Sequence, residues 1–266
     1  RREHLKGKNL VISMLPARFH LEVVKDCINM GIHVITPSYV TPEIQELDGL
    51  AKEKGVLVLN EMGLDPGIDH MSAMKIIHHL QALGANVTAF KSFTGGLVAP
   101  ESDNNPWNYK ITWNPRNVVL AGQGGASQFI RNGNYKYIPY HRLFTRTEPI
   151  FIEGYGEFEG YANRNSLQYR EVYGLGQIPT IFRGTLRRKG YSEAWDVFVQ
   201  LGLTDDTYTL EDSEHMTFRD YLNSYLRYED DKSVEAKLCE FLSINPDGEV
   251  MKKLVWLGIF EKKAIG

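Results

Sequence analysis

Strand-length apolar runs and helix-period segments alternate through residues 9–83, and this order leaves few folds open to the first third of the chain. Residues 9–14, 32–36 and 56–62 read as strands, and 21–30, 42–54 and 66–83 as helices, the last from the spacing of Ile68, Met71, Ile76, Leu80 and Leu83. Gly31, Gly55 and Gly84 supply helix stops, and Thr41-Pro42 is a good cap and first-turn pair. A βαβαβα order with β-branched strands predicts a parallel sheet covered on both faces, part of a doubly wound fold.

The texture changes after Gly84. Strand-like runs at 86–94, 135–139, 150–153 and 180–186 are interspersed with Gly and Pro, and Asn132-Gly133 signals a hairpin. From Ser192 helical spacing returns in Ala194, Val197, Phe198 and Leu201, then Tyr221, Leu222 and Leu226, then Val234, Leu238, Phe241 and Leu242, and finally residues 251–260. The expected class is therefore α/β plus α+β. It comprises a partial Rossmann-like parallel sheet over 1–84, a mixed or antiparallel-sheet domain over 85–187 and a small helical module over 188–266.

The sheet pattern raises the question of a nucleotide. A complete dinucleotide-binding fold opens with a strand and G-x-G-x-x-G, and no such loop precedes Asn9, so the chain is expected to begin inside that domain, lacking its first βαβ unit. The run from Gly154 to Gly160 imitates the glycine spacing but has one residue too many and no helix after it, and Gly122-Gln123-Gly124-Gly125 reads as a flexible turn.

Composition narrows the partners. With 24% charged residues and a net charge of −3, the 266-residue chain lacks the basic excess of a nucleic-acid binder. It has no apolar run near the ~18 residues of a membrane span and no signal-peptide core behind Arg1-Arg2-Glu3-His4, which predicts a cytoplasmic protein. Cys27 and Cys239 have no nearby Cys or His partner and read as buried free thiols, with no metal expected.

Chemistry concentrates in Gly63-Leu64-Asp65-Pro66-Gly67-Ile68-Asp69-His70, an acidic, glycine-flanked turn at the carboxyl end of the third strand, where open α/β sheets bind ligands. Equally open is a purely local role, with Asp65 as N-cap and Pro66 as first helical residue. His20 reads as a cap for the helix that follows it, His70 as structural, and His78-His79 as solvated.

That turn, with the Ser13-Met14-Leu15-Pro16 run and His20, Thr36-Pro37-Ser38-Tyr39-Val40, Gly95-Gly96-Leu97-Val98-Ala99-Pro100-Glu101, Asn105-Pro106 with Tyr109-Lys110, Tyr161-Ala162-Asn163-Arg164-Asn165-Ser166 and Arg183-Gly184-Thr185-Leu186-Arg187, resembles the saccharopine dehydrogenase (glutamate-forming)/saccharopine reductase family, which includes half of the bifunctional aminoadipate-semialdehyde synthase. The resemblance covers roughly residues 9–203 and implies oxidation of saccharopine with NAD or NADP to glutamate and aminoadipate semialdehyde, or the reverse condensation. It carries saccharopine contacts onto Ser38, Tyr39, Asp65, Arg164, Gly184, Thr185 and Leu186, and cofactor contacts onto Leu15, Ser38, Leu64, Asp65, Pro66 and Asn114. Asp65 and Tyr39 take the polar roles at the reacting centre. A substrate with three carboxylates needs cationic donors. Arg164, Arg183 and Arg187 are available, the last two reading equally well as surface salt bridges or solvated charges. Thr94 stands where many relatives have Cys and Asn114 where many have Ser.

Relatives are commonly dimers, so a homodimer is expected, with the middle domain as its assembly surface. Two other readings remain: a carboxynorspermidine- or homospermidine-synthase-like oxidoreductase, whose polyamine substrates would favour acidic pocket residues over Arg164, and a catalytically incomplete substrate-binding and dimerisation domain.

Overall fold

The computed structural model describes residues 1–112, 114–121 and 125–265, so Gly122, Gln123 and Gly124 of the central glycine cluster lie outside the described residues. The chain forms two compact units, residues 1–87 and 88–266.

In the first unit, β1 (Leu10–Ile12), β2 (His33–Ile35) and β3 (Val58–Leu59) form a parallel sheet in that order. Helix α1 (Arg2–Leu5) precedes it, and α2 (His20–Met30) crosses from β1 to β2. Val23, Val24, Cys27 and Ile28 fall on one face of α2 and bury against Ile32, Val34, Ile44, Ala51 and Val56. The burial of Cys27 holds its free thiol above its ordinary pKa; Cys239, also free, is only half-buried.

Four expectations here are corrected. The segment 42–54 is two helices, α3 (Pro42–Gln45) and α4 (Asp48–Glu53). Thr41 caps the first, but Leu47 N–H tightens onto Ile44 O at 3.1 Å, and Asp48-Gly49 are poor helix formers on which to continue. The third strand is only two residues long. Glu61 turns left-handed (φ 60°), and its N–H and that of Met62 bond to Ser38 O and Thr36 O, which bends the chain out of the sheet. Helix α5 (Ile68–Ala82) buries Asp69, Ala73 and Ile77, an i, i+4, i+8 stripe, and exposes Ile68, Met71, Ile76 and Leu83, which the apolar spacing had placed inside. The sheet itself is not covered on both faces by described residues, because the side chains of Leu10 and Ile12 are exposed.

In the second unit, β4 (Ala89–Thr94) runs parallel to the long strand β9 (Thr180–Arg188). The remainder is antiparallel: β6 (Asn134–Ile138), β5 (Ser127–Arg131), β9, β8 (Gly156–Ala162) and β7 (Glu148–Ile152), in that order. This is the mixed sheet expected. The Asn132-Gly133 hairpin joins β5 to β6, both turn residues having positive φ (50° and 76°). The glycine run from 154 forms the β7–β8 turn and β8, with no phosphate-binding helix after it. Helices α6 (Pro115–Val119) and α7 (Tyr169–Val172) are short. Helices α8 (Tyr191–Leu201), α9 (Phe218–Asn223), α10 (Val234–Leu242) and α11 (Glu249–Trp256) share one core with the sheet, in which Trp195, Leu222, Leu238 and Leu254 meet Phe129, Tyr161 and Phe182. Trp107 anchors a loop into this core: its Nε1–H donates to Lys253 O at 2.9 Å and its ring stacks on Phe198.

An ion pair ties α9 to α10. Arg219 donates to both carboxylate oxygens of Glu235 at 2.7 Å and to Phe260 O at 3.1 Å. This fork holds the Glu235 carboxyl below its ordinary pKa, so its contribution is present above the unfolded value and fades as pH falls through the lower folded one. Arg219→Ala should cost about 1 kcal/mol at neutral pH, allowing for solvent screening, and less at an acid pH below the lowered Glu235 pKa, as read from urea unfolding midpoints. An equal loss at both values would show that the carboxylate charge contributes nothing.

Candidate functional site

The turns after β1, β2 and β3 gather one group of predicted residues. Leu15 follows β1, Ser38 and Tyr39 follow β2, and Leu64, Asp65 and Pro66 follow β3, all at the carboxyl edge of the parallel sheet. Leu15 and Leu64 expose their apolar side chains, Ser38 and Asp65 are half-buried, and Pro66 is buried. Across this edge Tyr39 Oη donates to Asp65 Oδ1 at 2.9 Å, so the two turns are joined through the two residues given polar roles.

The Asp65 turn is built by backbone bonds. Gly63 N–H donates to Pro66 O at 2.9 Å, Gly63 O accepts from Ile68 N–H at 2.9 Å, and Leu64 O accepts from Asp69 N–H at 3.1 Å. The Asp65–Pro66 peptide is cis. Gly67, not Asp65, occupies the N-cap, and Pro66 precedes the helix, which corrects the local reading of this pair. The acid serving the helix start is Asp69, buried, whose Oδ1 accepts Gly67 N–H at 2.8 Å.

Behind this edge lies a group whose arrangement the sequence did not reveal. His20, the first residue of α2, is 2% exposed. Its Nδ1 is 2.9 Å from Ser13 Oγ, and its Nε2 is 2.9 Å from Ser38 Oγ and 3.0 Å from Thr36 Oγ1. It makes no side-chain cap to its own helix, contrary to expectation. Burial pushes the imidazole pKa below its ordinary value, so the ring is neutral at neutral pH. The available signal was the placement of hydroxyl residues directly after two apolar strands, with one histidine between them in sequence.

The second unit carries the other predicted residues. Arg164 lies in the loop leaving β8, left-handed (φ 46°), between Asn163, whose N–H donates to Arg183 O at 2.8 Å, and Asn165, which bridges to Gln128. Its own carbonyl accepts Gln128 N–H at 2.8 Å. The backbone is therefore fixed on both sides, and the guanidinium is exposed with no hydrogen-bond or ion-pair partner among the described residues. Gly184, Thr185 and Leu186 lie on β9, with Thr185 in register with Thr94 of β4. A Cβ on Gly184 would lie 2.6 Å from the Phe93 ring, so the close approach of that ring requires glycine. Asn114 caps α6 by accepting Asn117 N–H at 3.3 Å.

Arg183 and Arg187 correct an expectation. Neither is a surface charge, for they are 5% and 9% exposed. The Arg183 guanidinium lies 4.1 Å from the Tyr169 ring centroid, and that of Arg187 lies 4.6 Å from Tyr109 and 5.3 Å from Tyr191, with Nη1 donating to Leu186 O at 2.9 Å. Burial in this aromatic cluster raises the Tyr191 phenol well above its ordinary pKa.

Among the described residues no helix is long and apolar enough to cross a membrane. Residues 1–59 match the saccharopine dehydrogenase NADP binding domain, and residues 63–264 match the saccharopine dehydrogenase C-terminal domain. The saccharopine dehydrogenase [NADP(+), L-glutamate-forming] of Pyricularia oryzae is 37% identical over 97% of this chain, and the mitochondrial alpha-aminoadipic semialdehyde synthase of Rattus norvegicus is 37% identical over 96%. The chain spans 58% and 28% of those two proteins' lengths. Among solved structures, the apo saccharopine dehydrogenase (L-Glu forming) of Saccharomyces cerevisiae superimposes with a TM-score of 0.82 at 31% identity, over 98% of this chain and 60% of that one. The two domain models together span nearly all of these residues in the order that the fold requires, and the chain belongs to the saccharopine dehydrogenase family.

Proposed function

We propose that the protein oxidises saccharopine with NADP+ and water to L-glutamate and 2-aminoadipate 6-semialdehyde, releasing NADPH and a proton, or runs the reverse condensation. The Tyr39–Asp65 hydrogen bond at the carboxyl edge of the parallel sheet carries this reading. A carboxylate has about four acceptor positions, so Asp65 can take Tyr39 Oη–H and still accept from a secondary ammonium, favouring its charged form until the proton must leave. Tyr39 holds that carboxylate in one orientation. Arg164 supplies a planar fork to a substrate carboxylate, and Gly184, Thr185 and Leu186 present strand backbone paired with Ala162, Tyr161 and Gly160 of β8, the strand that leads to Arg164.

The residues present fit a nicotinamide cofactor. Exposed Leu15 and Leu64 offer apolar surface at the edge where Ser38 and Asp65 offer polar groups, the mixture that a flat ring bearing a carboxamide requires. When bound, the cofactor supplies the hydride acceptor. Leu15, Ser38, Leu64, Asp65 and Pro66 would hold its reactive half, and the contribution of the chain is positioning.

In this reading residues 1–84 serve the nucleotide, 85–187 bind substrate and pair two subunits, and 188–266 form a helical module, in a cytoplasmic homodimer. The test is to incubate full-length protein with saccharopine and NADP+. NADPH and glutamate should appear in equal amounts; neither product at any substrate concentration would overturn the assignment. An exposed Arg164 guanidinium with no hydrogen-bond or ion-pair partner among the described residues disfavours a polyamine substrate, which it would repel.

A further inference from the structure

The His20 cluster sits behind Ser38, onto which the family resemblance carries a saccharopine contact, and its hydrogen bonding has a consequence for that contact. A neutral imidazole has one N–H and one lone pair. With the proton on Nδ1, the ring donates to Ser13 Oγ, and the Nε2 lone pair takes a proton from Ser38 or Thr36. Where Ser38 is that donor, it spends its hydrogen on the ring and offers a ligand only lone pairs. With the proton on Nε2, the ring donates to Ser38 Oγ and Thr36 Oγ1, Ser13 donates to Nδ1, and the hydrogen of Ser38 is available.

The main chain of all three hydroxyl-bearing residues is held by hydrogen bonds. Ser13 N–H is bonded to Ile35 O at 2.8 Å, Thr36 N–H to Leu59 O at 2.9 Å, and Ser38 N–H to Thr36 Oγ1 at 3.3 Å. Thr36 Oγ1 therefore already acts as an acceptor, which suits a second donor on Nε2. A carboxylate only accepts hydrogen bonds. A Ser38 that contacts one must donate.

We propose that His20 is a positioning residue, held as the neutral Nε2–H tautomer by Ser13 on one side and Thr36 on the other, which fixes Ser38 as a hydrogen-bond donor toward a substrate carboxylate. This rests on the reading that Ser38 touches saccharopine, and the tautomer can be measured separately from it.

In protein with 15N-labelled histidine and no ligand, one ring, identified by its disappearance in His20→Gln, should show a protonated Nε2 and an unprotonated Nδ1. A protonated Nδ1 overturns the proposal whatever the substrate proves to be. Calorimetry of saccharopine binding then supplies a double-mutant cycle in the full-length protein. His20→Leu should weaken binding about tenfold, the scale of one hydrogen bond to a charged group, and His20→Gln, whose amide can still donate, by about threefold or less. In a Ser38→Ala background His20→Leu should cost nothing more. Equal loss in both backgrounds would show that His20 acts through general stability and overturn the assignment. Ser13→Ala, a small change that keeps the ring and removes one of its anchors, should weaken binding about threefold, which covers the case in which His20→Leu does not fold. If wild-type protein shows the Nε2–H tautomer yet does not bind saccharopine, the proposed substrate fails and the ring assignment stands.

Discussion

Arg164→Ala should raise the dissociation constant for saccharopine about 100-fold and leave thermal stability unchanged. The first half follows from chemistry: a bidentate guanidinium–carboxylate pair is charge-assisted on both strands of the fork, and each bond of that kind contributes about 1.5–3 kcal/mol. The second half follows from the structure. The Arg164 backbone is fixed by the Asn163 N–H to Arg183 O and Gln128 N–H to Arg164 O bonds, both main-chain, while the guanidinium is exposed and bonds to no described residue. Truncation removes no hydrogen bond or ion pair among the described residues. Arg164→Lys should recover only part of the loss, because an ammonium keeps the charge and lacks the planar fork. Unchanged affinity in Arg164→Ala, measured by calorimetry, would remove the carboxylate clamp from the account; a fall in stability of equal size would make the residue structural.

Gly67→Ala should be the most damaging single change to the Asp65 turn. Gly67 has φ 149° and ψ −89°, and an added Cβ would lie 2.1 Å from Gly63 O and 2.6 Å from Gly63 N. Those atoms are the ones bonded to Ile68 N–H and Pro66 O, so the methyl group cannot be accommodated without breaking the bonds that shape the turn. An unfavourable φ/ψ region costs about 1–3 kcal/mol and overpacking adds a similar amount, so a loss of roughly 3 kcal/mol or more in urea unfolding is expected. The geometry of Asp65 should go with it, and saccharopine turnover should fall more than ten-fold even where the protein remains folded. A variant with wild-type stability and turnover would mean that the turn is not as drawn.

The contrast between these two sites shows which parts of the fold were legible. Local rules sufficed for the βαβαβα order and for the Asn132-Gly133 hairpin, since period and turn chemistry act over a few residues. They missed the strand β8, whose Gly156 and Gly160 stand where strand patterns carry side chains; a Cβ on Gly160 would lie 2.5 Å from Phe93, a neighbour distant in sequence. They failed again at α5, whose apolar residues recur at helical spacing while the buried stripe runs through Asp69, Ala73 and Ile77. Asp69 is inside because it serves the helix start, a role that no hydropathy scale registers. Arg183 and Arg187 misled for the same reason. Their partners are the rings of Tyr169, Tyr109 and Tyr191, so whether these cations are solvated or buried depends on tertiary neighbours. At the candidate site, the residue types were readable from motifs, whereas the Tyr39–Asp65 bond and the His20 cluster required the strands to be set side by side.

The most direct measurement of the central claim is substrate discrimination by the full-length protein: kcat/KM for NADP+ reduction with saccharopine against that with carboxynorspermidine, whose amine is similar but which lacks the glutamate carboxylates. A carboxylate-binding Arg164 predicts turnover with saccharopine and preference for it by at least about 100-fold, the scale of one lost guanidinium–carboxylate pair. Equal turnover of the two, or turnover of the polyamine alone, would contradict it.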